Sequence, residues 1–165
     1  MTSSLILGTC DLQIEIWPLG ARLNSLKYKG IDCVVGSTRR EEALDAKKFN
    51  GAVVGPVANR IAEGRFELDG TAYTLPLNEN NETTLHGGPQ GTHALDWTIN
   101  EVSETAATLA LSLSDGFGGF PGNRVLKAHY DVGGHDFSLT LEATSDAPTL
   151  INLALHPYWI LDATD

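Results

Sequence analysis

A chain of 165 residues with 42% hydrophobic side chains has the size of one domain and enough apolar mass to bury its own core. Its formal net charge of -10 repels nucleic acid and anionic lipid, and no apolar run approaches the ~18 residues of a membrane span. Two cysteines, Cys10 and Cys33, are too few for a disulfide scaffold, and Met1-Thr2-Ser3-Ser4 lacks the basic start of a secretion signal; inert thiols and a cytoplasmic location are therefore expected.

Strand signals dominate in chain order. Leu12-Gln13-Ile14-Glu15-Ile16 alternates apolar and polar side chains, as a half-buried strand does. Arg39 to Lys48 has the only helical composition, short and polar. Phe66 to Tyr73 reads as a hairpin with Asp69-Gly70 at its tip, because Asp-Gly suits the left-handed positions of a two-residue turn. Leu109, Leu111 and Leu113 alternate with small polar residues. Arg124 to Tyr130 follows, and then Phe137, Leu139, Leu141 and Ala143. Asp115 to Asn123 between them is glycine-rich. It lacks the Lys and Ser/Thr of a phosphate loop, and reads as a structural or substrate-flanking turn. An apolar run spans Leu150 to Leu161, although Pro157 fits poorly in a central strand because it cannot donate to a ladder. Strands without intervening helices predict an all-β antiparallel sandwich or barrel.

Three segments carry polar side chains in settings that present them. Asn59 and Arg60 precede a strand start, and a guanidinium fork beside an amide suits a ligand rich in hydroxyls; capping of loop carbonyls is the structural alternative. His86 lies in Leu85-His86-Gly87-Gly88, after a loop of asparagines. His156 interrupts the last apolar run, next to Tyr158 and Trp159, whose faces could pack on the C–H faces of a sugar ring. Histidine titrates near neutral pH, so this pair points to proton transfer on a polar ligand. With His93, His129 and His135 included, no two histidines have helical metal-ligand spacing, and no metal is expected.

In order along the chain, these segments resemble the aldose 1-epimerase (galactose mutarotase) family. Asn59 to Phe66 with Leu68-Asp69-Gly70 is similar to that family's N-R-I-x-x-G-x-F-x-L-D-G block, and Leu85 to Gly88 to its L-H-G-G block. Asp115-Gly116 with Gly119 to Asn123 is similar to its D-G-x-x-G-Y/F-P-G-N block. Thr149 to Tyr158 resembles the block around its catalytic histidine. The resemblance implies a β-sandwich that interconverts the α and β anomers of an aldohexose by acid/base ring opening, without cofactor or metal. It makes His156 the general acid. It makes Arg60 and His86 binders of sugar hydroxyls supported by Asn59. His86 would also polarise the open-chain oxygen.

Departures bear on activity. Leu155 and Ile160 stand where the family block has asparagines, Pro157 where it has a small polar residue, and Trp159 where it has phenylalanine. The family's general base is a glutamate in a C-terminal half that residues 1–165 do not reach, and none of Glu63, Glu67, Glu79, Glu82, Glu101, Glu104 or Glu142 matches it. The expectation is a single mutarotase-like domain over residues 1–165 lacking the C-terminal half of the family fold. The alternative is a non-catalytic carbohydrate-binding domain, pairing as a homodimer to cover its open sheet.

Overall fold

The computed structural model describes residues 4–161. It begins with a meander: β1 (Leu5–Gly8), β2 (Leu12–Trp17), β3 (Arg22–Tyr28) and β4 (Ile31–Asp32) form one antiparallel sheet in chain order. Along β2 the buried positions are Leu12, Ile14 and Ile16, the set that the period-2 pattern selects.

The helix expected between Arg39 and Lys48 shrinks to α1 (Arg40–Leu44). The cause is Arg22, which is fully buried. Its guanidinium collects the carbonyl oxygens of Ala43 at 3.0 Å, Lys47 at 2.9 Å and Lys48 at 3.0 Å, and also that of Asn50. A buried cation needs such partners, and carbonyls turned onto it are lost to a helical ladder.

Next come β5 (Val53–Val54), β6 (Arg60–Ala62), the hairpin of β7 (Arg65–Leu68) and β8 (Thr71–Thr74), and β9 (Thr83–Leu85). The hairpin forms as the sequence predicts. Leu68 pairs with Thr71, and both Asp69 (φ 49°) and Gly70 (φ 77°) are left-handed.

A second antiparallel meander follows: β10 (Thr98–Val102), β11 (Ala106–Leu113), β12 (Arg124–Gly133) and β13 (Asp136–Ser145). Leu109, Leu111 and Leu113 on β11 are buried as predicted, with Leu126, Ala128, Tyr130 and Val132 of β12 beside them. They pack on Leu7, Ile14, Ile16 and Leu23 of the first sheet to make one core. The Tyr130 hydroxyl donates to the carbonyl of Ala21 at 2.8 Å, tying the two sheets through the dry interior. The fold is thus an all-β antiparallel sandwich.

On β13 the alternation is present but its burial is not complete. Phe137, Leu139 and Leu141 are half-buried and Ala143 is exposed, because β13 is the edge of its sheet.

The Asp115–Asn123 loop is a structural corner. Asp115 accepts from the Gly122 N–H at 2.6 Å, and the Asn123 amide donates to Asp146 at 2.7 Å. Phe120 is fully buried under the corner. Cys10 and Cys33 are free thiols. Among the described residues no helix is long and apolar enough to cross a membrane.

The apolar run from Leu150 to Leu161 is not one strand. Only β14 (Ala154–Leu155) forms a ladder, antiparallel to β5. On either side the run touches other partners in turn: Asn152 bridges Val57, and Trp159 bridges Val34. Pro157 between them offers no N–H, consistent with a segment that moves from one partner to the next.

Candidate functional site

Two short ladders create the site. β6 pairs with β9, so that Arg60 opposes Leu85. One residue further, His86 donates its backbone N–H to the Asn59 carbonyl at 3.0 Å, and the Asn59 N–H donates back to His86 Nδ1 at 3.0 Å. Asn59 (φ 66°) and His86 (φ 52°) are both left-handed non-glycine residues, a conformation that persists where surrounding contacts over-determine it. Those contacts are visible. The Asn78 side chain binds both backbone groups of Leu85, at 3.0 Å to its carbonyl and 2.7 Å from its N–H. Gly87, at φ 82°, lies so close to Gly55 that no side chain fits between them.

The second ladder, β5 with β14, delivers His156. It is prolonged by bonds from the Gly51 N–H to the His156 carbonyl at 2.8 Å and from the His156 N–H to the Ala52 carbonyl at 3.0 Å. The His86 and His156 rings then stand 5.0 Å apart at 83°. They open onto a cavity of about 450 Å³ that Asn59, Arg60 and Tyr158 also line. Phe49, Val54, Ala58, Leu85 and Ala154 supply its apolar surface. Tyr158 lies 5.3 Å from His156, ring to ring.

Five of the six residues predicted from the sequence therefore meet at one cavity. Trp159 is the exception: it is absent from the lining, half-exposed, and engaged with Val34 through its backbone. Successive residues of an extended segment point to opposite sides, so a chain that turns Tyr158 inward turns Trp159 away.

His129 sits outside the cavity, near Thr108 and Glu142. Among the described residues no group of three potential metal ligands forms. A larger groove of about 580 Å³ between Trp17, Thr38, Arg40 and Asp96 contains no histidine.

Two site residues were not foreseen. Glu79 grips Arg60 as a fork on a fork, 2.6 Å from Nε and 2.7 Å from the second guanidinium nitrogen, and accepts from the Thr83 hydroxyl at 2.8 Å. The ion pair fixes the guanidinium plane, and Arg60 also donates to the Asn59 side chain at 3.1 Å. Phe49 lies against three histidines, 4.7 Å from His86, 4.8 Å from His93 and 6.0 Å from His156. Nothing in Lys47-Lys48-Phe49-Asn50 marks it, because the turn that carries it is organised by Arg22 from far away in the chain.

The electrostatics separate the groups. Hydrogen bonds from Arg60 and Thr83 hold the Glu79 carboxyl down at about 2, so it is an ionised clamp and a very weak base. Burial, reinforced by the positive charges of His156 and Arg60, lowers His86 to about 4 against the pull of Glu79. At neutral pH His86 is uncharged. Its Nδ1 accepts from Asn59, so its proton sits on Nε2, which is a hydrogen-bond donor. His156 has its Nδ1 buried with no partner among the described residues, leaving Nε2 as the nitrogen that can meet a ligand.

His93, buried behind Phe49, is likewise lowered to about 4, by burial first and then by His86, Lys48 and Arg22. Its unfolded imidazole gains a proton below about 6.5, while the folded one resists until about 4. Acid therefore favours the unfolded chain throughout that window. Thermal unfolding followed at pH 7 and pH 4 should show the loss, and His93→Gln should remove on the order of 3 kcal/mol of it. Equal pH sensitivity in the two proteins would contradict this.

Comparison with known proteins places the chain in a family. The profile of the aldose 1-epimerase family matches residues 4–164. The bifunctional protein gal10 of Schizosaccharomyces pombe is 38% identical over 163 residues, covering 92% of this chain and 23% of that protein. The galactose mutarotase of Rattus norvegicus is 34% identical over 156 residues, covering 92% of this chain and 45% of that protein. Among solved structures, a GalM/aldose epimerase homologue from C. elegans superposes with a TM-score of 0.88 at 28% identity, covering 98% of this chain and 52% of that one. The galactose 1-epimerase of Lactobacillus acidophilus NCFM superposes at 0.84 and 27% identity, over 94% of this chain and 48% of that one. The chain spans less than half the length of these curated relatives. By the match along nearly all of its sequence, it belongs to the aldose 1-epimerase family.

Proposed function

We propose that the cavity binds an aldohexose and carries the acid side of anomer interconversion. The observation that supports this most is the convergence of His86 and His156 on the surface that also holds Arg60. As the general acid, His156 gives a proton from Nε2 to the ring oxygen of the sugar. The C1–O5 bond breaks with its electron pair going to that oxygen. The anomeric hydroxyl loses its proton, and its O–H electrons form the carbonyl. Rotation about C1–C2 and reclosure on the other face of the aldehyde give the second anomer. Neutral His86 donates from Nε2 to a sugar oxygen, and steadies the carbonyl oxygen of the open chain. Arg60, clamped by Glu79, keeps two of its roughly five N–H donors for hydroxyls. Tyr158 covers the C–H face of the ring.

The proton of the anomeric hydroxyl goes to a base outside this lining. Among the described residues the cavity lining contains no carboxylate, and Glu79, held at about 2 on Arg60, is too weakly basic for the task. That observation also favours a second reading, a site that binds sugar without accelerating it. Polarimetry separates the two. Freshly dissolved α-galactose or α-glucose should relax to its equilibrium rotation faster in proportion to added protein. Saturable sugar binding by calorimetry with no change in that rate selects the second reading. Neither binding nor acceleration would refute both.

A further inference from the structure

We propose that Phe49 is the positioning residue of the histidine pair: carried on a turn that buried Arg22 clamps, its ring sets the angle between His86 and His156. The inference rests on the acid-side reading above and extends it to a residue that touches neither a sugar hydroxyl nor a transferred proton.

The geometry is specific. Phe49 meets His86 edge to face, 4.7 Å between centroids at 70°, and lies tilted by 36° against His156 at 6.0 Å. One ring thus contacts both imidazoles, which are themselves nearly perpendicular. His93 also packs on it, at 4.8 Å and 64°. Edge-to-face contacts of this kind are directional, so they restrict ring rotation beyond what apolar filling does.

The turn cannot drift, because Arg22 holds the carbonyls of Lys47, Lys48 and Asn50, which bracket position 49. The next residues, Gly51 and Ala52, bond both backbone groups of His156. The same short stretch therefore fixes the His156 backbone and orients its ring.

A core-filling role does not account for Phe49. It is half-buried, stands apart from the hydrophobic core shared by the two sheets, and gives part of its surface to the cavity. That surface lies against the ring of His86, whose own Nδ1 is occupied by Asn59. The charged groups around His86 are His156 and Arg60 on the positive side and Glu79 on the negative. His93 packs on the Phe49 ring, and Lys48 Nζ stands 5.2 Å from its centroid.

Histidine side-chain NMR tests this without depending on catalysis. In the wild-type protein His86 should titrate near 4, with nuclear Overhauser contacts between its ring protons and those of His156. Phe49→Ala should admit water and raise the His86 midpoint by about one unit or more towards the ordinary value. Phe49→Leu, which keeps apolar volume but no ring edge, should raise it less and weaken the inter-ring contacts. In polarimetry both variants should lose about tenfold or more through kcat, with KM little changed. If Phe49→Ala does not fold, Phe49→Leu decides. An unchanged His86 midpoint together with unchanged inter-ring contacts in folded Phe49→Leu overturns the proposal. A wild-type protein that accelerates no sugar would refute the acid-side reading, and the NMR result would still decide the role of Phe49.

Discussion

His156→Ala should abolish about 10²–10⁴ of any acceleration of α-galactose mutarotation while leaving the fold intact. The size follows from the role. A positioned general acid supplies that factor because opening the ring expels a basic oxygen that must be protonated, and neither of the other two basic side chains at the cavity is suited to do it. His86 is uncharged above about 4 and Arg60 does not release its proton near neutrality. The fold survives because the backbone bonds of His156 to Gly51 and Ala52 do not involve its ring. Rates compared at saturating sugar should show the loss in kcat. His156→Gln, which can donate a hydrogen bond but not a proton, should be nearly as slow. Wild-type rates in either variant would remove His156 from the chemistry.

The largest effect on stability is expected at Gly87. Its φ of 82° is one that L side chains rarely adopt, and a Cβ there would lie 1.9 Å from the carbonyl oxygen of Gly55. Backbone cannot swing aside as a side-chain tip can, so Gly87→Ala must displace the 55–56 segment or His86 itself. A loss of about 3 kcal/mol or more is expected in urea unfolding, with weakened sugar binding. Gly70→Ala is the control. Gly70 has a similar φ of 77° but nothing within 4 Å of a new Cβ, so it should cost only the conformational strain, about 1–2 kcal/mol. Equal losses in the two variants would mean that strain alone accounts for Gly87.

The contrast between these glycines also shows what is readable in the chain. Gly70 announces its turn locally, as Asp-Gly between alternating strands, and the hairpin forms where predicted. The alternation of Leu109, Leu111 and Leu113 likewise fixes a buried face, because both neighbours of β11 belong to the same sheet. Gly87 requires glycine because of Gly55, a residue remote in sequence, and no local pattern encodes that contact. The site behaves the same way. Asn59, Arg60, His86, His156 and Tyr158 were identified by residue type and family resemblance, but their meeting depends on ladders of three and two residues, too short to show periodicity. Glu79 and Phe49 escaped notice because their roles consist of partners: Arg60 for one, and Arg22 with three histidines for the other. Trp159 reads as part of the wall because its ring stands beside His156 in the sequence, yet it is absent from the cavity lining.

The account stands on His86 and His156 facing one bound sugar. Titration of the protein, labelled with ¹⁵N in its histidine rings, with galactose at pH 7 examines that directly. The Nε2 signals of both residues should shift together along a single saturating curve, with His86 remaining neutral and donating from Nε2. Signals of His129 and His135 should stay in place. Saturable galactose binding that leaves both His86 and His156 unmoved would contradict it.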